Sequence, residues 1–346
     1  MEEDNNANIS KTYEPNESKD DLIICGFWRR LFAFIVDGII LGIFGLIIGT
    51  AFFDFFAEIG VLGRLFGFSI ALLYFGIQNS FVCDGQTIGK RILKIKVVNK
   101  ETETISLQRS FARFMILGLP YFLNGAILPP NLLNNIVISL LLGLIVFFGL
   151  AGIIYLYIFN KKTRQTLHDL AVGTYVVNTQ NVEEFSFQPK NTWKGHLAVL
   201  TLLFITILFA ITIVVPKFAQ KDFFKELLIV QKEIQSSGLV HVSTVSAGKS
   251  FSTKAATEGS KEGETTYFSI RAVLNKKPSD YNIPINNIAK IVLDKYPSIM
   301  EKDALVINVT YGYDIGIAQA WINQSQQYTP KEWHELISRL PEETKI

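Results

Sequence analysis

The sequence predicts a polytopic α-helical membrane protein of about five spans with a C-terminal extracytoplasmic α+β domain. Three observations lead there. Five apolar segments lie between residues 31 and 215. Lysine and arginine crowd into alternate connections between them. Beyond residue 215 the pattern changes to amphipathic helices and period-two strands, as in a folded aqueous domain. The bulk values agree: 49% of the 346 residues are hydrophobic and the mean hydropathy is +0.28.

Composition also excludes several function classes. A net charge of +2 gives no electrostatic footprint for nucleic acid. Two cysteines, Cys25 and Cys83, are too few for a disulfide framework, and no C-x-x-C or Cys/His cluster suggests a metal. His168, His196, His241 and His334 are scattered singly. No nucleophile–base pair or carboxylate dyad stands out, so neither an enzyme activity nor a cofactor is expected.

Residues 1–24 are polar and mostly acidic, without the basic opening and apolar core of a secretory signal, and read as a disordered cytoplasmic tail. The first span, Leu31 to Phe53, has Asp37 as its only charge. The second, Leu65 to Cys83, is uncharged and ends with Gln78, Asn79 and Ser80. The third, Phe114 to Leu128, contains Pro120 and reaches only about 22 Å, so it is read as short and kinked. The fourth and fifth, Ile136 to Phe159 and Leu197 to Val215, are uncharged and long enough for about 30 Å of hydrocarbon.

Arg29 and Arg30 precede the first span, Lys90 to Arg113 follow the second, and Lys161 to Lys194 follow the fourth. DFFAEIGVLGR and NGAILPPNLLNN are poor in base. Positive charge therefore puts the N-terminus and the basic connections in the cytoplasm, provided that the third segment crosses. The expected organisation is a tail over 1–24, a four-span core over 25–180, a cytoplasmic linker over 181–195, a fifth transmembrane helix over 196–216 and an extracytoplasmic domain over 217–346. The expected location is a bacterial cell membrane.

Between the second and third spans, ILKIKVV alternates apolar and basic residues, as a half-exposed strand does. TISL would return as a second hairpin arm. GTYVVN, after the fourth span, repeats the pattern of KIKVVN, and the two short strands are expected to pair beneath the bundle. Lys90, Arg91, Lys94 and Lys96 would meet anionic lipid headgroups. Gly85 to Lys90 is one residue short of a phosphate-binding P-loop and continues with Arg91, so nucleotide binding is not expected.

Three motifs carry a resemblance. RR-x-x-A-x-x-x-D in the first span, DGQTIGKR after the second and RQTLHDLAVGTYVV after the fourth resemble the RDD family of integral membrane proteins over residues 24–180. Matching the family's name onto these motifs gives Arg30, Asp37 and Asp169. The resemblance implies a membrane core, with transport roles and, in some members, exchange of a monovalent cation for protons. It does not extend to residues 181–346.

Asp37 lies on the same helical face as Arg30 but about 10.5 Å further along the axis, too far for a direct salt bridge. Gln78, Asn79 and Arg113 are at similar depth and are its candidate partners. Two readings stand side by side. In one, Asp37 binds a cation or a proton as the exchange site of a transporter, with Arg30 and Asp169 gating or orienting it. In the other, Asp37 is a permanent polar tie that fixes helix register, and the protein is a scaffold or sensor presenting its C-terminal domain to a protein partner. Asp169, in TLHD, would cap a helix or receive Lys90 or Arg91.

In the C-terminal domain, AQKDFFKELLIVQKEIQSSG reads as a helix stopped at Gly238. LVHVSTVSA, TTYFSIRAVL, ALVINVTYGYD and IAQAWINQSQQ read as strands, and INNIAKIVLDKYP and PKEWHELISRL as helices. The order suggests about four antiparallel strands covered by two or three helices, with EGSKEGE an exposed loop and Trp321 and Trp333 at the core or rim.

Overall fold

The computed structural model describes residues 24–60, 62–126, 135–179, 192–251 and 264–339. The expected tail up to residue 23, most of the linker and most of EGSKEGE lie outside the described residues.

Helix α1, Phe27–Ala51, buries Ala33, Asp37, Leu41, Gly45 and Gly49. These residues are four apart and form one ridge, and the remaining faces expose residues such as Phe32, Ile39 and Ile47, as a lipid-facing helix would. Asp37 is therefore on the single stripe that meets other helices. Helices α2, Phe53–Ile59, and α3, Leu62–Gln78, follow, bent by 111° at the break between them. Helix α4 is the short Ile88–Ile92, and α5, Leu107–Leu123, packs on α3 through the stacked pair Phe75–Phe114, with ring centroids 5.0 Å apart. Helix α6, Val137–Phe159, and a later helix α8, Lys194–Phe218, each contain a π-helical turn and touch through Phe148–Phe204 and the Tyr155–His196 contact of 3.0 Å.

Among the described residues three helices, α1, α6 and α8, are long and apolar enough to cross a membrane, and the bent pair α2–α3 makes a fourth if it counts as one span. The expected third span corresponds to α5, which begins in the basic connection, contains Pro120 and has only 17 residues. The structure thus supports three to four spanning helices by length and composition, against the five expected.

Under the basic end of the bundle, strand β1, Ile95–Val98, pairs antiparallel with β2, Tyr175–Asn178, and Ile24 bridges Val177 on the far side. This is the expected pairing of KIKVVN with GTYVVN. TISL does not return beside β1. The other edge of β1 is occupied by the DGQ segment: Val97 N donates to Gly85 O at 2.9 Å and Gln86 Nε2 donates to Ile95 O at 2.9 Å. Ile105 bridges Ser80 instead. The short helix α7, Leu167–Val172, precedes β2.

The C-terminal domain begins with α9, Asp222–Ser236, which ends before Gly238 at φ +73°. Strands β3, Val240–Phe251, and β4, Glu264–Leu274, precede α10, Asn282–Lys295; then come β5, Ala304–Asp314, β6, Gln319–Tyr328, and α11, Pro330–Ser338. The sheet order is β3-β4-β5-β6. Its central pair β4–β5 is parallel, which corrects the expectation of four antiparallel strands. A parallel pair needs a crossover, and α10 supplies it. Helix α10 contacts both α9 and α11, and the three pack on the sheet through β5, β3 and β6 respectively. Phe268, Ile270, Ile288, Leu305, Ile307 and Trp333 fill the core, with Trp333 Nε1 donating to Leu305 O at 3.0 Å. Trp321 is only partly buried.

This domain sits against the opposite end of the bundle from β1 and β2. The turn between β5 and β6 enters the bundle itself. Gly316, at φ +79°, is the first central residue of the two-residue turn, the position that a type II′ hairpin reserves for glycine. Ile317 lies against Gly45, Gly42 and Gly67, and Tyr313 lies over Gly49. A Cβ on Gly67 would overlap the carbonyl oxygen of Ile315. Arg64 closes the seat: its Nη2 bonds Asp314 Oδ2 at 2.5 Å and its Nη1 donates to Phe122 O at 3.0 Å.

Candidate functional site

The three sequence motifs converge on one buried charge cluster. Asp37 is 1% exposed and accepts three hydrogen bonds: from Tyr74 Oη at 2.7 Å and Gly89 N at 2.8 Å on Oδ1, and from Thr87 Oγ1 at 2.6 Å on Oδ2. Thr87 is the N-cap of α4, accepting from Lys90 N at 3.2 Å while its hydroxyl proton goes to Asp37. Gly89 permits the approach, because a Cβ there would overlap the Ala33 carbonyl of α1. The first motif is thus fastened to the second through Asp37.

Asp169 is fully buried and more heavily engaged. Oδ1 accepts from Arg113 Nη2 at 2.7 Å, Arg113 Nε at 3.0 Å and Thr174 Oγ1 at 3.0 Å. Oδ2 accepts from Arg30 Nη2 at 2.6 Å, Thr166 Oγ1 at 3.0 Å and Thr166 N at 3.2 Å. Asp169 is the third residue of α7 and completes a capping box with Thr166, so the cap that was expected is present. Its ion partners are Arg30 and Arg113 rather than Lys90 or Arg91. Burial works to raise the Asp169 pKa, but Arg113 and Arg30 outweigh it and hold the carboxyl well below the usual carboxylate range. Arg30 also donates to Arg164 O and lies over the Tyr157 ring, 5.7 Å from its centroid.

His168 stands beside the pair, with Nε2 3.2 Å from Arg113 Nη2. Burial, joined by the charges of Arg113 and Arg30, pushes its pKa down to about 3, so the ring is neutral at pH 7 and accepts from Arg113. Lys90 turns inward and donates to Asn79 Oδ1, while Asn79 Nδ2 donates to Phe75 O at 2.8 Å. Of the four residues expected at lipid headgroups, Arg91 and Lys94 are exposed and Lys96 partly so, whereas the Lys90 amine lies in the cluster. Burial, then the charge of Arg113, lowers its pKa to about 7.

The three hydrogen bonds to Asp37 therefore come from none of its candidate partners. Arg113 serves Asp169, Asn79 serves Lys90, and Gln78 ends α3 one turn beyond Tyr74. Tyr74, Thr87 and Gly89, which do hold Asp37, are neutral donors, and a neutral donor near a carboxylate leaves little trace in residue type. Thr87 and Gly89 do lie within DGQTIGKR, so the motif contained them. Among the described residues no group of three or more His, Cys, Asp and Glu side chains could hold a metal ion.

A cavity of about 360 Å³ opens above the cluster, lined at one end by Arg30, Asp37, Asn79, Lys90, Arg113 and His168 and elsewhere by apolar side chains of α1, α3, α5 and α6. A second, of about 240 Å³, shares Phe34, Phe75, Phe114, Leu117, Ile153 and Ile154 with it and extends to Gly316 and Ile317 of the inserted turn.

Comparison with known proteins agrees with the three motifs. Residues 24–173 match the sequence profile of the RDD family. YckC of Bacillus subtilis (strain 168), described as an uncharacterized protein, is 32% identical over 164 residues, which cover 46% of this chain and 87% of YckC. No solved structure matches. With Arg30, Asp37 and Asp169 gathered in one buried cluster inside the matched region, the chain belongs to the RDD family.

Proposed function

We propose that this protein is a membrane scaffold or sensor whose RDD core holds the C-terminal domain in a fixed pose, with that domain outside the cytoplasm and the charge cluster on the cytoplasmic side. The observation that carries this reading is how heavily both carboxylates are already engaged. Asp169 accepts six hydrogen bonds and Asp37 three, one of them from a backbone amide. A cation would have to displace donors from Asp169, and at Asp37 it would find three of about four acceptor sites already taken. The seating of the β5–β6 turn among glycines of α1 and α3 supports the same reading, because it joins the domain to the core through packed side chains.

Exchange of a monovalent cation for protons is the second reading. It is favoured by the cavity beside Asp37 and by Lys90, an amine poised to titrate near pH 7. Reconstitution into proteoliposomes separates the two. The scaffold reading expects no sodium- or potassium-driven pH change that depends on Asp37. A cation-driven proton flux that Asp37→Asn abolishes, in protein of native stability, would overturn it.

A further inference from the structure

The cavity above the cluster has an apolar body and a cationic floor. Arg30, Arg113 and Lys90 face Asp37 and Asp169 there, and with His168 neutral the set carries one cation in excess. Both guanidinium groups are directed to Asp169. Among the described residues, Lys90 Nζ reaches the amide oxygen of Asn79, which carries no charge. Burial and the neighbouring charge of Arg113 make the ammonium costly despite the attraction of Asp37, and the lowered Lys90 pKa reflects that cost. An anion beside Lys90 would balance the cluster. Above it the walls are aromatic and aliphatic, continuing past Phe34, Leu117 and Ile154 to Ile317.

We infer that this cavity binds a single-chain anionic amphiphile of the fatty-acid class, with its carboxylate at Lys90 and Arg113 and its chain running between α1, α5 and α6 towards Ile317. The cavity volume falls in the range of small-molecule sites, and so does the pattern of an apolar lining with a few convergent polar groups. A small inorganic anion would leave the apolar section unfilled. A neutral chain would leave the excess cation of the cluster unbalanced.

The test uses the full-length protein in a non-ionic detergent, titrated with hexadecanoate or 1-hexadecanol, with bound ligand counted by native mass spectrometry. One equivalent of hexadecanoate is expected, held at least about tenfold more tightly than the alcohol, as suits a charge-assisted contact. Lys90→Met should bring hexadecanoate down to the level of the alcohol. Ile154→Trp, at a cavity-lining position 57% exposed and so tolerant of substitution, should weaken both ligands. Equal binding of acid and alcohol, or hexadecanoate binding unchanged by Ile154→Trp, overturns the inference, and neither readout requires Lys90→Met to fold.

Discussion

Asp169→Asn tests the cluster most directly. The substitution keeps the shape of the side chain and removes its charge. Asp169 is the counter-ion of two guanidinium groups whose side chains are only 9% and 7% exposed, so solvent screens these pairs little. Removing one partner of a buried pair costs about 3–5 kcal/mol, because the other charge stays buried. The new amide also turns two donors towards groups that themselves donate. Asp37→Asn is the built-in comparison. Asp37 receives only neutral donors, and an asparagine oxygen can keep those on Oδ1 while the Thr87 hydroxyl reorients to accept, so its cost is about 1 kcal/mol. The assay is equilibrium unfolding of the full chain in mixed micelles at neutral pH, with both variants in the same detergent. The Asp169 pKa is depressed, so its contribution is complete at neutral pH and is lost as pH falls below the ordinary value of 3.8. A loss below about 1 kcal/mol for Asp169→Asn would refute the reasoning, as would an equal loss from Asp37→Asn.

Other positions give independent checks. Gly67→Leu should expel the β5–β6 turn, because even a Cβ overlaps the Ile315 carbonyl, and a cysteine placed at Ile317 should then react several-fold faster with a water-soluble maleimide while the core stays folded. Gly89→Ala should cost about 1–3 kcal/mol by forcing α4 away from Ala33 and stretching its bond to Asp37, read as a lower unfolding midpoint. Lys90 and His168 both have lowered native pKa values, so the unfolded chain binds more protons between the native and ordinary values. Stability should therefore rise with pH from about 3 to 6.5 through His168 and from about 7 to 10.5 through Lys90, by at most about 1.4 kcal/mol per pH unit for each. Lys90→Met should flatten the alkaline rise in the unfolding midpoint.

Legibility in the sequence followed the range of the interactions. The pairing of β1 with β2 was visible because both strands carry the same VVN pattern, and ALVINVTYGYD coincides with β5 because alternation is a local property. Burial of Asp37 was visible as a lone charge in an apolar run. Its partners were not, since a tyrosine, a threonine and a backbone amide have no charge signature. The Arg30–Asp169 pair spans 139 positions, and only the family resemblance named the two together. The parallel β4–β5 pair was encoded in the strand–helix–strand order of residues 264–314, which contains the crossover such a pair requires. The glycines of α1 and α3 repeat at the three- and four-residue intervals of a small-residue face. Such a face usually receives another helix, and nothing local to residues 42–67 signals that a hairpin turn from residue 316 fills it.

The seat for that turn also sets an order of events during biosynthesis. Gly45 and Gly67 are made early, whereas Ile317 follows some 250 residues after Gly67. At ordinary elongation rates of about 5–20 residues per second, the depression between α1 and α3 waits on the order of ten to fifty seconds for its occupant. During that interval, lipid or a membrane chaperone has to cover the glycine face, and the first helices are free to meet other small-residue helices in the same bilayer. A ribosome that stalls or terminates before residue 317 would therefore release a core that is inserted but left open to the wrong partner.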